Sequence, residues 1–238
     1  NDPLEIAEYG SLTVITNFQS KLAGAAFTIK IILPDDYAKT DAHYPAVYFL
    51  GLPELFSTRA ENPLSAKHAA EKLRAAGKMP QTALISVENQ FGAAALWPDG
   101  GATAAEFIMR ELKPYLELNY RILGYGAAAL AGPQSAQAAL LLALQYPASF
   151  SYAALEAEKT TAPRAGENLP PGNRRLWISS ANTPAAPNWG GQAEKLQSLK
   201  TALAASGLVP ERNFIFAFGA PVEKQYVSAL EYFFMRAN

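Results

Sequence analysis

The chain's 238 residues, half of them hydrophobic and 17% charged, have the composition of one ordinary globular domain with enough apolar material for a sizeable core. Twenty basic against twenty-one acidic side chains leave a net charge of -1, which excludes a global electrostatic draw toward nucleic acid or anionic lipid. The lack of cysteine excludes disulfides and thiolate chemistry, and no apolar run approaches the roughly 18 residues of a membrane span.

In chain order, Asn1-Asp2-Pro3 carries no basic and apolar leader, and a polar start gives way to β-branched and aromatic runs at 11–18 and 27–33. Gly24 lies between them, so they read as a two-stranded hairpin. In the second run Phe27, Ile29 and Ile31 share one face, while Thr28, Lys30 and Ile32 share the other. Pro34-Asp35-Asp36 supplies turn chemistry, and the continuous apolar stretch 46–50 suits a strand covered on both sides. Helical spacing over 64–76 is followed by a strand at 83–87. A helix at 103–118 then sets Phe107, Ile108, Leu112, Tyr115 and Leu116 on its apolar side. A short buried strand at 126–132 leads into a helix ending near Tyr146-Pro147. Later strands are expected at 150–155, 176–180 and 214–218, with helices near 190–206 and 223–236. This alternation predicts one α/β domain over residues 1–238: a three-layer sandwich with a mostly parallel sheet, an antiparallel N-terminal hairpin, and helices on both faces.

Several segments, in order, resemble the esterase D and enterochelin esterase group of α/β-hydrolases, which includes feruloyl esterases and antigen 85 mycolyltransferases. Phe27 to Leu33 followed by Pro34-Asp35-Asp36-Tyr37 is similar to that family's strand ending in Leu-Pro-x-x-Tyr. Tyr44-Pro45-Ala46-Val47-Tyr48-Phe49-Leu50-Gly51 resembles its Tyr-Pro-Val-Leu-Tyr-Leu-Leu-His-Gly. Phe107 to Leu116 with Tyr120-Arg121 resembles the helix before the nucleophile strand, and Ala139-Leu140 through Tyr146-Pro147 and Phe150 the helix after it.

The resemblance implies a serine on a strand-to-helix turn written Gly-x-Ser-x-Gly. The matching text is Gly132-Pro133-Gln134-Ser135-Ala136, so Gln134 stands at the nucleophile position and Ser135 is the nearest hydroxyl, expected to cap the following helix. The implied acid is missing from Ser179-Ser180-Ala181-Asn182-Thr183-Pro184, and the implied histidine from Gly219-Ala220-Pro221-Val222-Glu223. Gly51-Leu52 lacks the histidine that precedes the oxyanion glycine in the family. No histidine follows His68.

Losing triad members costs on the order of 10⁴–10⁶ in turnover. The expectation is therefore an inactive esterase-like protein kept to bind a small molecule or a protein. Its altered cleft would hold Gly51, Leu52, Trp97, Gln134 and Ser135, with Gln134 and its neighbours filling it. The alternatives are a serine esterase with a non-standard centre, such as Ser135 with His68, or a scaffold subunit of a larger assembly. His43 and His68 are too far apart in sequence for a metal-binding spacing, and neither metal nor cofactor is implied. Trp189 and Trp97 sit in irregular stretches as loop anchors or ligand contacts, and Glu156 to Glu158 and the pair Lys224 and Glu231 read as solvated charge. The export of many relatives implies an extracytoplasmic location after removal of a leader.

Overall fold

The computed structural model describes residues 5–9, 12–56, 65–89, 101–157, 160–161, 163, 169–180, 189–218 and 222–234. Among these a nine-stranded sheet runs in the order β1-β2-β3-β5-β4-β6-β7-β8-β9. β2 (Leu12–Ser20) and β3 (Ala25–Ile32) form the expected hairpin, turning where Gly24 takes φ +62°. A further strand, β1 (Glu5–Tyr9), adds antiparallel to β2. β3 pairs antiparallel with β5 (Ala83–Asn89). From there β4 (Ala46–Leu50), β6 (Ala127–Ala131), β7 (Phe150–Glu156), β8 (Arg175–Ser180) and β9 (Phe214–Phe218) extend the sheet in parallel.

Period-two alternation sorts the sheet's side chains into two cores. Phe27, Ile29, Ile31, Tyr48, Ile85, Ala129 and Phe150 join the first with residues of α2 (Ala102–Phe107), α3 (Lys113–Asn119), α4 (Ala136–Gln145) and α5 (Trp189–Ala205). Val47, Phe49, Leu84, Ala128, Leu130 and Ala154 join the second with α1 (Ala66–Ala75) and α6 (Val222–Phe234). β4 and β6 are buried at all five positions because helices cover both faces, as their uninterrupted apolar runs require. Each fully buried large side chain contributes about 1.5–3 kcal/mol of transfer free energy. Phe27 and Phe107 stack with ring centroids 4.2 Å apart and pin the hairpin to the helical layer.

The helix expected at 103–118 extends over 102–119 and is not uniform. Residues Ile108–Leu112 between α2 and α3 take the wider π form. From this segment Glu111 Oε1 accepts the backbone N–H groups of Lys21 and Leu22 at 3.1 and 3.3 Å, satisfying donors in the hairpin turn. No helix among the described residues is long and apolar enough to cross a membrane.

Candidate active site at the carboxyl edge of the sheet

β6 delivers the chain to a tight elbow. Gly132 continues the strand by donating its N–H to Leu50 O at 3.0 Å, and Pro133–Ser135 form one 3₁₀ turn before α4 begins. Proline suits the first position of such a turn, where its missing N–H leaves no bond unmade. Ser135 N–H donates back to Gly132 O at 3.0 Å, closing the elbow, and its backbone at φ -111°, ψ 4° lies near the bridge region in which many active-site residues sit.

The Ser135 hydroxyl makes no capping hydrogen bond to α4, so the expected capping role is corrected: the 3₁₀ turn is closed by backbone atoms and leaves the side chain outside it. Ser135 is nonetheless buried, 4% exposed, whereas Gln134 is exposed and does not plug a cleft. Gly51 takes φ +66° at the end of β4, turning its carbonyl toward the elbow. A Cβ on Gly132 would stand 2.8 Å from Gly51 O and 3.1 Å from Leu52 Cδ2. Of the expected cleft residues, the structure thus brings Gly51, Leu52 and the 132–135 elbow together. Trp97 lies outside the described residues, and Trp189 opens α5.

Parallel register then carries polar groups to the same edge. β6 and β7 run parallel as far as Leu130 with Ala154, so the Gly132 elbow and Glu156, the last residue of β7, lie at the same edge of the sheet. Glu156 in turn pairs with Ser179, and Ser180 with Phe218. Glu156 is 8% exposed, which corrects its reading as solvated charge. It is the last residue of β7, and alternation turns it to the same side as Ala154, the side that α6 covers. Ser179 and Ser180 are buried as well, and Ser179 Oγ donates to Leu155 O at 3.2 Å. From α6 come buried Gln225 and Tyr226, whose hydroxyl donates to Ala131 O at 3.5 Å, one residue before the elbow.

Sequence reasoning passed over Glu156, Gln225 and Tyr226. The signal existed for two of them. Glu156 directly continues the apolar run Ala153-Ala154-Leu155, and Tyr226 shares a helical stripe with Ala229, Leu230 and Phe233.

The histidines are elsewhere. His43 and His68 are both exposed, and Ser65 is the N-cap of α1, its Oγ accepting His68 N–H at 3.1 Å. α1 packs in the second core and α4 in the first, so His68 is not brought to Ser135 and that pairing is set aside. Glu231, expected to be solvated, pairs with Lys78 Nζ at 2.5 Å across from α6. Among the described residues no group of three or more His, Asp or Glu is arranged to hold a metal ion.

Comparison with known proteins gives a consistent result. A family model described as "Putative esterase" matches residues 20–201. Among curated proteins none matches the sequence. Among solved structures, an IroE-like serine hydrolase from Shewanella oneidensis superposes with TM-score 0.61 at 16% identity, covering 97% of this chain and 80% of that one. A ferulic acid esterase from Anaeromyces mucronatus, solved with ferulic acid, gives TM-score 0.63 at 15% identity over 97% and 91% of the two chains. An S-formylglutathione hydrolase from Agrobacterium tumefaciens gives 0.64 at 10% identity over 98% and 99%. At these identities the structural likeness establishes the α/β-hydrolase-type fold. The family match corrects the expectation of an inactive, binding-only protein: the relatives point to ester hydrolysis, and a buried hydroxyl that capping does not use stands at the elbow.

Proposed function

We propose, because the chain belongs to the putative esterase family, that it is a hydrolase of carboxylic esters working from a non-standard serine centre at the carboxyl edge of its sheet. The observation that carries this reading is the Ser135 hydroxyl: buried, at the strand-to-helix elbow, and not used to cap α4. Ser135 Oγ attacks the acyl carbon and a C–O bond to the enzyme forms. Its proton passes to the carboxylate of Glu156, which ends β7 at the same edge of the sheet, and then to the departing alkoxide, which leaves as the alcohol. Water hydrolyses the acyl-serine, releasing the acid and restoring the hydroxyl. The backbone at Gly51-Leu52, packed against the elbow, is placed to steady the oxyanion, and the cleft of Gly51, Leu52, Trp97, Gln134 and Ser135 is assigned to the acyl group.

A carboxylate is a weaker base than imidazole at neutral pH, so the expected turnover is slow. Enzymes of this kind stripped of triad members keep about 10³–10⁴-fold acceleration over water from the oxyanion site and binding. The test is hydrolysis of p-nitrophenyl acetate together with labelling by a fluorophosphonate probe. We expect turnover of that order and an adduct on Ser135, both lost in Ser135→Ala, with Glu156→Gln lowering turnover while the protein stays folded. Turnover no faster than buffer, with no adduct by mass spectrometry, would rule the reading out.

A further inference from the structure

A second site stands at the opposite end of the sheet and does not depend on the esterase reading. The loop leading into β4 and the one leading into β6 meet at the amino edge, where Tyr44 bridges Ile122. Between them lies a recess of about 370 Å³ lined by Tyr37, Ala38, Lys39, Thr40, Asp41 and Arg121.

Arg121 is fixed there. Its guanidinium lies 3.9 Å over the Tyr37 ring, it donates from Nη2 to Tyr37 O, and its backbone N–H donates to Tyr37 Oη at 3.1 Å. Yet Nε is buried with no hydrogen-bond partner among the described residues, and no carboxylate there pairs with this side chain. A buried donor on a permanent cation is costly to leave unsatisfied, so this guanidinium lacks an acceptor. Thr40 does not supply it, because its hydroxyl is engaged with Tyr44 Oη at 2.7 Å. Lys39 adds a second positive charge to the wall and Asp41 one negative charge, so the lining is balanced by a single anionic charge. Asp36 is not part of the wall.

We infer that this recess binds a monocarboxylate, held by the Arg121 guanidinium with Lys39 supporting it and Asp41 selecting against multiply charged anions. The planar fork of arginine suits a carboxylate, and Tyr37 beneath it keeps the fork oriented before the ligand arrives.

The experiment titrates the full chain with benzoate at constant ionic strength. It follows the Arg121 Nε–H resonance by ¹⁵N NMR and the heat by calorimetry. We expect a saturable shift. Lys39→Glu, an exposed position, should weaken binding about two- to fivefold, the range of an exposed charge pair, and Asp41→Asn should tighten it by a similar factor. Arg121→Lys, which keeps the charge and loses the fork, should abolish the calorimetric signal in protein that stays folded by circular dichroism, with a melting temperature somewhat lowered by the lost contacts to Tyr37. A short peptide tested with a free and with an amidated C-terminus distinguishes a chain terminus from a small acid as the natural carboxylate. A shift that never saturates, one that chloride reproduces, or saturable binding of inorganic phosphate without benzoate would each overturn the assignment.

Discussion

Tyr48 carries a hydroxyl into the middle of β4 that no partner among the described residues receives. Its ring is fully buried, meeting Phe150 edge to face at 5.1 Å, and burial pushes the phenol far above its ordinary range, with Glu117 adding to the effect. Tyr48→Phe removes the buried polar atom and keeps the packing, so it should stabilise the fold by about 1 kcal/mol, raising Tm by roughly 2–4 °C in a chain of this size. Tyr146 is also raised, chiefly because its hydroxyl donates to Glu106 Oε1 at 2.6 Å, and Tyr115 and Tyr232 are raised by burial. A phenol raised in the folded state contributes stability that is fully present below the unfolded-state value near 10 and is lost as pH climbs above it. Denaturant midpoints should therefore be flat up to about pH 9 and fall beyond pH 10, and the fall should be shallower in Tyr48→Phe. Gly132 tests the elbow from the other side. With φ -65° its backbone tolerates any residue, so Gly132→Ala acts by contact alone, driving a methyl against Gly51 O. The expected cost is about 1–3 kcal/mol by urea unfolding, together with a loss of esterase turnover as Gly51-Leu52 is displaced.

Among the elements, α4 depends on a side chain from a distant segment. Arg174, 5% exposed, donates from Nε to Ala143 O at 2.8 Å and from Nη2 to Leu144 O at 3.0 Å, two carbonyls at the end of α4. It also donates to Pro170 O, and from Nη1 to Gly172 O at 3.3 Å. One planar cation thus closes a helix end and anchors the run into β8. Arg174→Met should lower stability by about 2–4 kcal/mol, read as a reduced Tm, because the carbonyls it leaves are buried with it. Nothing in the residues around Arg174 marked it in the sequence, since all four partners are backbone carbonyls and the two that close α4 lie some thirty positions away. Continuous apolar runs were legible: β4 and β9 fall at 46–50 and 214–218 as expected, although only β4 is buried at every position, while β9 at the edge of the sheet leaves Phe218 exposed. β1 was not, since Glu5-Ile6-Ala7-Glu8-Tyr9 shows no period-two alternation and gains its place from pairing with β2.

Across the whole molecule, the two proposals set different tasks at the two edges of the sheet. Variants at one should leave the other untouched: Ser135→Ala should bind benzoate as the wild type does, Lys39→Glu should keep the wild-type rate on p-nitrophenyl acetate, and the double variant should show the sum of the single effects within about 0.5 kcal/mol. The fold and the place of the Gly51 and Gly132 turns were readable because strand and turn chemistry is local. The polar groups at the same edge of the sheet were not, because Glu156, Ser179 and Tyr226 arrive there through strand register and helix docking, which join residues far apart in the chain. The π segment Ile108–Leu112 has a further effect, on how the gene can vary. A π turn holds one residue more than an α turn, so the surplus is absorbed there and α3 keeps Leu116 fully buried. Excising a single codon within that turn would let it rewind as ordinary α-helix with α3 nearly in place, whereas the same excision elsewhere in the helix would swing everything downstream by about 100° and expose Leu116. Single-residue deletions should therefore be tolerated at the π turn and purged from the rest of that helix.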